Sequence, residues 1–174
     1  GLCGGRIAEH FAALGRKARS ERHIEIVTDS LLVTTSTSDF DGLSPAADEI
    51  LPRMILGHNE VFSRDPGETN ELAADIARED SERVIQAVEP ALRSGEMDAF
   101  MLIAAAAGST GSGLIPALTQ SLKEHCPTKP AYNLIILPFV REEIEKPVTV
   151  YNASACLKSV YLAADAVFLV DNQR

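Results

Sequence analysis

Short apolar runs and helical stripes of apolar residues alternate along most of the chain. Ala99 to Ala106 is an apolar run between Asp98 and a glycine-rich stretch, which is typical of a strand covered on both faces of a parallel sheet. Tyr132 to Phe139 and Ala166 to Val170 predict two further strands. The segment HIEIVT, His23 to Thr28, predicts another because its apolar and polar residues alternate.

Apolar residues at helical spacing predict helices on either side of the central apolar run. The first stripe comprises Ile7, Phe11 and Leu14. Gly15 is the expected end of that helix. A long helix is predicted over Glu71 to Arg93, with a break at Pro90.

Two more helices follow the glycine-rich stretch. One carries a stripe formed by Leu114, Ile115, Leu118 and Leu122. The other is predicted from about Asn152 to Ala164. Because strands and helices alternate, the sequence predicts an α/β fold: a doubly wound, mostly parallel sheet with helices on both faces.

Several polar or glycine-rich segments follow the predicted strands. Thr34 to Pro45, rich in Ser, Thr, Asp and Gly, predicts an irregular loop that either holds a ligand or is mobile. Ligands of open parallel sheets bind outside the carboxyl ends of the strands. The segments expected there are Gly1 to Arg6, Asp29, the loop near Asn70, Gly108 to Gly113, Pro138 to Glu143 and Asp171 to Asn172.

The charge of the chain narrows the choice of partner. Its 174 residues suffice for one compact domain, with 25 Asp and Glu against 16 Lys and Arg, a formal net charge of −9. So acidic a surface repels a phosphodiester backbone, and no basic stripe with interleaved aromatic residues offsets it. We therefore expect no nucleic-acid partner, although backbone N–H groups can still hold a nucleotide.

The apolar runs and the cysteines point to a cytoplasmic protein without a membrane anchor. The longest apolar run, Ala99 to Ala107, is far shorter than the roughly 20 residues of a membrane-spanning helix, and no secretory signal is recognisable. Cys3, Cys126 and Cys156 form no CxxC pair and have no neighbouring histidine cluster, so no structural zinc is expected.

The run AAAAGSTGSGLIP is the most informative stretch for chemistry. Glycines between a buried strand and a helix leave backbone N–H groups free at a helix N-terminus, which is an anion-binding arrangement. Ser109, Thr110 and Ser112 can donate further hydrogen bonds. The alternative is a strand-to-helix turn built of small residues, which the second glycine-rich segment at Gly1 to Gly5 makes less attractive.

Common nucleotide and hydrolase motifs do not match. A Walker A loop needs a Gly-Lys pair, which the chain lacks. The dinucleotide fingerprint GxGxxG is replaced by GxxGxG at residues 108–113 and by GxxGG at residues 1–5. GxSxG is also absent, so a hydrolase nucleophile elbow is not supported.

Three separated segments resemble the tubulin and FtsZ superfamily. AGSTGSG at residues 107–113 is similar to its GGGTGTG or GGGTGSG phosphate loop, with Ala107 and Ser109 in place of glycines. GLCGGRIAEHF resembles the first nucleotide loop of tubulin, GQCGNQIG, with Cys3 at the matching place. YNASACLKSVYLAADAVFLVDNQR is similar to the YNAT…DN segment of tubulin. Together these matches cover nearly the whole chain, in the order of the superfamily.

The resemblance implies a GTP-binding domain. GETNELAADIA, LPFVREE and the final DN look most similar to the archaeal tubulin-like branch CetZ, or to a divergent FtsZ. Such proteins polymerise head to tail and hydrolyse GTP to GDP where subunits meet, and Mg²⁺ can accompany the nucleotide. We expect residues 1–174 to be the nucleotide-binding domain, lacking its first strand, the central helix and the C-terminal domain.

The resemblance also assigns binding roles by position. The α- and β-phosphates would lie against Gly1, Leu2, Cys3, Gly4, Gly5 and Arg6. The phosphate chain would be wrapped by Gly108, Ser109, Thr110, Gly111, Ser112 and Gly113. Asp29 would approach the γ-phosphate side, Gly67 to Asn70 matches the third loop and Asn172 would recognise guanine. Pro138 opens a PFxxE pattern that favours Glu142 for the ribose, whereas the tubulin pattern would place that contact at Thr149.

The departures from the superfamily leave other functions open. Leu2 replaces a polar residue that helps tubulin to order magnesium and water. Arg6 replaces an amide and either adds a cation near phosphate or points into solvent. A filament or scaffold subunit that binds nucleotide without turnover is therefore the second hypothesis. A dinucleotide-binding oxidoreductase is a distant third, because the fingerprint is missing.

Overall fold

The computed structural model describes residues 1–59, 62–63, 69–139 and 146–172. The helices are α1 (Leu2–Arg22), α2 (Ala47–Ile50), α3 (Glu71–Glu79), α4 (Ser81–Ser94), α5 (Ser109–His125) and α6 (Pro147–Ala163). The strands are β1 (Leu32–Thr34), β2 (Arg53–Ile55), β3 (His58–Asn59), β4 (Phe62–Ser63), β5 (Phe100–Ala105), β6 (Ala131–Ile136) and β7 (Ala166–Val170).

Parallel pairing dominates the strands. β5, β6 and β7 form a three-stranded parallel sheet in that order, β1 and β2 form a parallel pair, and β3 and β4 form a short antiparallel hairpin. The parallel strands need helical crossovers, which α5 and α6 supply. The predicted α/β class with a mostly parallel sheet is confirmed.

The core lies on the face of the sheet covered by α5 and α6. Leu114 and Leu118 of α5 pack with Ile76 of α3, while Ile115 packs with Ile135 of β6 and Val160 of α6. This core holds the carboxyl ends of β5, β6 and β7 at one edge, because all three strands run in the same direction.

The second half of the chain follows the sequence pattern closely. β5 and β7 fall within their predicted apolar runs, and α5 carries the predicted leucine stripe on its buried face. β6 begins at Ala131, just before the predicted start at Tyr132, and ends at Ile136 instead of Phe139. The last helix begins earlier than expected, at Pro147 instead of about Asn152. Proline is favoured in the first helical turn, where its missing N–H costs nothing.

The first half departs from the predictions. His23 to Thr28 is not a strand, and the strand that forms is β1, further along the chain. Ile24 and Ile26 are 51% and 68% exposed, so the alternation that predicted a strand has no buried side. β2 and the β3–β4 hairpin were not predicted, since strands of two or three residues are too short to show a period.

Two predicted helix ends are also wrong. α1 continues through Gly15 to Arg22 and ends at His23, which has a left-handed backbone (φ 55°). Gly15 instead permits close packing, because a Cβ there would lie 2.9 Å from the Cβ of Val27. The predicted break at Pro90 does not occur; the chain breaks at Asp80, whose carboxylate accepts a hydrogen bond from the Gly57 amide at 2.7 Å.

Candidate functional site

A small cavity lies where the N-termini of α1 and α5 meet. Its volume is about 190 Å³. The residues that line this glycine cavity are Gly1, Leu2, Cys3, Gly4, Asp39, Ala104, Ala105, Gly108, Ser109, Thr110 and Gly111. The structure thus brings the two glycine-rich segments that the sequence singled out to one place.

The first segment is the opening turn of α1 and not a loop before it. The helix begins at Leu2, and the Gly5 amide donates to the Gly1 carbonyl. A Cβ on Gly4 would lie 2.2 Å from the backbone oxygen of Ile103, so this glycine lets α1 rest directly on β5. Gly1 has more room, with its nearest neighbours at 3.7 Å.

The glycines of the second segment also differ in the space around them. Gly108 is the N-cap residue of α5, and a Cβ there would have no neighbour within 4 Å. A Cβ on Gly111 would lie 2.9 Å from the Ala105 carbonyl oxygen, and one on Gly113 would lie 2.3 Å from the Asn70 carbonyl oxygen. Gly108 therefore leaves open space at the cavity, whereas Gly111 and Gly113 allow α5 to pack closely.

The hydroxyl residues of the second segment have different partners. Ser112 is fully buried and its hydroxyl donates to the Gly108 carbonyl at 2.6 Å, so it supports the turn from within. Thr110 Oγ1 lies 3.0 Å from Thr35 Oγ1. Ser109 lines the cavity. Of the three predicted donors, Ser109 and Thr110 line the cavity, whereas Ser112 does not.

The loop after β1 supplies a carboxylate that sequence reasoning missed. Asp39 lines the glycine cavity and accepts a hydrogen bond from the buried Thr34 hydroxyl. Together with the Thr35 to Thr110 contact, this places the Ser- and Thr-rich loop beside the start of α5. The Ser- and Thr-rich loop therefore borders the glycine cavity.

The two helix N-termini favour an anion at the cavity, although the Asp39 carboxylate lines it as well. The first helical turn leaves backbone N–H groups without intrahelical partners, and the helix dipole places partial positive charge there. Neither α1 nor α5 carries an acidic residue in its first turn. Two helix N-termini that converge without acidic side chains of their own can together bind a ligand with several negative charges.

Three other predicted site residues lie near this edge of the sheet. Asn70 is buried at the N-cap position of α3, where its carbonyl oxygen approaches Gly113. Pro138 is buried just after β6 and Asn172 is exposed in a turn after β7. Glu142 lies outside the described residues, as does Gly67 of the predicted third loop.

Asp29 and Arg6 take other positions. Asp29 precedes β1, whereas Thr35 and Asp39 follow it, so Asp29 stands at the opposite end of that strand from the glycine cavity. Its carboxylate accepts from the Ser30 amide at 2.7 Å. Arg6 is exposed, and its Nε donates to the Gly42 carbonyl at 3.0 Å, which ties α1 to the loop after β1.

A buried side-chain amide on α6 forms a hydrogen bond with the turn between β5 and α5, on the side away from the glycine cavity. Asn152 is 1% exposed, and its Nδ2 donates to the Ala107 carbonyl at 3.0 Å. Neither of these residues lines the glycine cavity. Asn152 belongs to the YNAS stretch that resembles tubulin, but nothing in the sequence indicated this contact, because the two residues are 45 positions apart.

The three cysteines differ in reactivity. Cys3 is exposed and lines the glycine cavity, and partial burial raises the pKa of its thiol. Cys156 is fully buried in α6, and burial raises its pKa to about 12. Burial also raises the pKa of Cys126. Nucleophilic catalysis by a thiolate is therefore not favoured at any of them near neutral pH.

A larger cavity of about 660 Å³ adjoins the glycine cavity. Its lining is mainly apolar and includes Leu31, Leu32 and Val33 beside β1, and Phe100, Leu102 and Ile103 of β5. We call it the apolar cavity. Asp29 lines it as well.

The described residues contain neither a membrane-spanning helix nor a cluster of metal-binding side chains. In residues 1–59, 62–63, 69–139 and 146–172, no helix combines the length and hydropathy needed to cross a bilayer. In the same ranges, no three His, Cys, Asp or Glu side chains are grouped closely enough to form a metal site.

Curated relatives cover almost the entire chain. It is 35% identical over 172 residues to the tubulin-like protein CetZ4 and 31% identical to CetZ1, both from Haloferax volcanii. Each alignment spans 99% of this chain but 41% of the relative, so the chain has less than half the length of these proteins.

Solved structures give the same picture. CetZ2 from Haloferax volcanii, a GTPγS-bound protofilament, superposes with a TM-score of 0.82 at 29% identity and covers 98% of this chain and 47% of that one. CetZ1 from the same organism, a GDP-bound monomer, superposes with a TM-score of 0.80 at 29% identity, over 98% and 48% of the two chains. The family model described as "Tubulin/FtsZ family, GTPase domain" matches residues 1–174, so the chain belongs to this family.

Proposed function

We propose that the chain is the guanine-nucleotide-binding part of a tubulin-like cytoskeletal protein. The observation that carries the proposal is the convergence of two acid-free helix N-termini, those of α1 and α5, on one glycine-lined cavity. That arrangement suits the phosphates of GTP or GDP. The relatives crystallised with GTPγS and with GDP support the same ligand.

The size and lining of the cavity fit the phosphates better than the whole nucleotide. A volume of about 190 Å³ is below the roughly 300 Å³ at which pockets for complete small ligands begin. The open space at Gly108 allows phosphate oxygens to approach the backbone without a side chain in the way. The nucleoside would extend from the cavity toward the ends of β6 and β7.

Mg²⁺ is part of the proposal. Magnesium in nucleotide sites is held by one or two carboxylates together with substrate phosphates and waters. Asp39 is the carboxylate that lines the glycine cavity among the described residues, and it would sit beside bound phosphate. A cation between them would relieve the repulsion of like charges, while Thr34 fixes the carboxylate.

Recognition of the base is assigned to Asn172 and that of the ribose to Glu142. Asn172 follows β7 at the edge of the sheet that carries Gly108, and an amide can both donate to and accept from a guanine edge. Glu142 follows β6 in the chain and is assigned from the PFxxE pattern alone. We place the protein in the cytoplasm, as a subunit of filaments formed by head-to-tail contacts.

The experiment that tests the proposal is calorimetry on the full-length gene product. We expect GTP and GDP to bind at least tenfold more tightly than ATP and ADP. Asn172→Ala should reduce that preference, and Asp165→Asn, at the opposite end of the sheet, is the control that should keep it. No binding of either guanine nucleotide, or equal affinity for ATP, would overturn the proposal.

A filament subunit without significant turnover is the second candidate. It is favoured by the lining of the cavity, where Asp39 is the sole carboxylate among the described residues and Leu2 presents an apolar side chain. The apolar Leu2 cannot activate a water for attack on phosphate, and Asp39 is assigned above to the magnesium ion. Phosphate release by the full-length protein separates the candidates: turnover that rises with protein concentration supports GTP hydrolysis in a polymer, and bound but unconsumed GTP supports the scaffold.

A further inference from the structure

Asn152 holds the peptide group from which the phosphate-facing turn begins. Its side chain projects from α6, is 1% exposed and donates from Nδ2 to the Ala107 carbonyl at 3.0 Å. Ala107 is the last residue before Gly108, the N-cap of α5. Asn152 therefore acts on the glycine cavity from the buried side of the turn, without lining it.

This contact fixes the direction of the next backbone amide. In a trans peptide the carbonyl and the following N–H point in opposite directions. When Asn152 holds the Ala107 carbonyl toward α6, the Gly108 N–H is directed away from α6. Because Gly108 has no side chain, its own packing gives this peptide plane little resistance to rotation.

The neighbouring backbone groups are fixed from other elements. The Ala106 amide donates to the Ile136 carbonyl of β6 at 2.9 Å. The Gly108 carbonyl accepts from the Ser112 amide at 3.0 Å and from the Ser112 hydroxyl at 2.6 Å. Asn152 supplies a bond for the Ala107–Gly108 peptide, which lies between them, so the turn is held in three places.

We propose that Asn152 is a positioning residue for nucleotide phosphate, acting through the Ala107–Gly108 peptide. The inference rests on the proposed function, since it assigns a further residue to that site. Loss of the amide releases the peptide group, and the energetic cost of ordering it is then added to phosphate binding. The contribution of phosphate to affinity should fall, while contacts with the base are left as they were.

The test compares two buried asparagines in the full-length gene product. Asn133 of β6 is as deeply buried as Asn152, but its Oδ1 accepts from Thr119 in the middle of α5, away from the turn. Asn152→Ala and Asn133→Ala should both destabilise the protein. Affinities for GDP and GMP are measured by competition at a temperature at which all variants are folded.

The expected result is a loss confined to phosphate. GDP affinity should fall about tenfold in Asn152→Ala, with a smaller ratio of GDP to GMP affinity, and Asn133→Ala should stay within about twofold of the parent protein. If Asn152→Ala does not fold, Asn152→Leu keeps a branched side chain of similar shape without a donor and should show the same change in ratio.

Two results would overturn the inference. The first is a ratio of GDP affinity to GMP affinity that is unchanged in the Asn152 variants or changes equally in Asn133→Ala. Asn152 would then be a packing residue, and the proposed guanine-nucleotide binding would be unaffected. If the parent protein binds no guanine nucleotide at all, the proposed function fails and this inference fails with it. Binding by the parent protein thus distinguishes the two failures.

Discussion

The glycine-rich starts of α1 and α5 look alike in the chain but divide their glycines between two tasks. In each, one glycine at the cavity has room for a side chain: Gly1 in α1, with neighbours at 3.7 Å, and Gly108 in α5, with none within 4 Å. Other glycines stand where a side chain would strike backbone, as Gly4 does against Ile103 and Gly113 against Asn70. A run of glycines near a phosphate site is therefore partly a packing device, and substitutions can tell the two kinds apart.

The largest effect is expected at the packing glycines. A methyl group at Gly4 or Gly113 would lie 2.2 or 2.3 Å from a backbone oxygen, so a helix must move. We expect Gly4→Ala and Gly113→Ala each to cost about 1–3 kcal/mol of stability. In a domain of this size each kcal/mol lowers the melting temperature by roughly 2–4 °C. Calorimetric melting that leaves either variant as stable as the parent would break the comparison.

The next effect is expected at Gly108, in binding instead of stability. A methyl group there meets no atom within 4 Å, so Gly108→Ala should change the melting temperature little. The same methyl group stands in the space assigned to phosphate, and we expect GDP affinity to fall about tenfold, or about 1.4 kcal/mol. Titration calorimetry on Gly108→Ala, with Gly113→Ala measured for comparison, checks this. If Gly108→Ala loses stability but keeps its affinity for GDP, Gly108 is a packing glycine and the assignment is reversed.

Thiol labelling tests whether the start of α1, like that of α5, lies against the bound nucleotide. Cys3 lines the glycine cavity, so GDP should slow its reaction with a maleimide by several-fold. Cys126 lies at the far end of α5 and should react at the same rate with or without GDP. Cys156 is fully buried and has a pKa of about 12, so it should react only after the protein unfolds. Mass spectrometry of labelled peptides reads all three, and unprotected Cys3 would remove α1 from the site.

The smallest effect is expected at the opposite end of the sheet. Asp165 has a lowered pKa because Lys123 donates to it, as does the Ala131 amide. When the pKa of a carboxyl is lower in the folded state than in the unfolded state, the carboxyl stabilises the protein at pH values above the unfolded-state pKa. This contribution is lost as the pH falls through the folded-state pKa. The melting temperature of Asp165→Asn should therefore be slightly lower than that of the parent protein at pH 7, and this difference should become smaller as the pH is lowered. A shift in GDP affinity would contradict the separation of the two ends.

The sequence predicted the second half of the fold better than the first for a physical reason. β5 and β6 are six-residue strands covered by α5 and α6, so their apolar runs stand out against the flanking polar residues. β1 and β2 have three residues each, too few to show a period. HIEIVT has the right alternation, but its isoleucines lie on the surface.

The candidate site was predictable where it depends on local composition and not where it depends on distant contacts. The two glycine-rich segments were identified from their residues alone and do meet at one cavity. Asp39 was hidden within a polar loop, and its place depends on Thr35 reaching Thr110, 75 positions away. Asn152 lies in the YNAS stretch that resembles tubulin, but its bond to Ala107, 45 positions away, could not be predicted from that stretch.

The apolar cavity has a consequence for handling the chain. β1 and β5 border it, and among the described residues each strand pairs on one side alone, β1 with β2 and β5 with β6. Open strand edges beside apolar side chains are templates for intermolecular β-pairing. Produced by itself, the 174-residue polypeptide should aggregate through these edges, which makes inclusion bodies the expected outcome of expressing this segment alone.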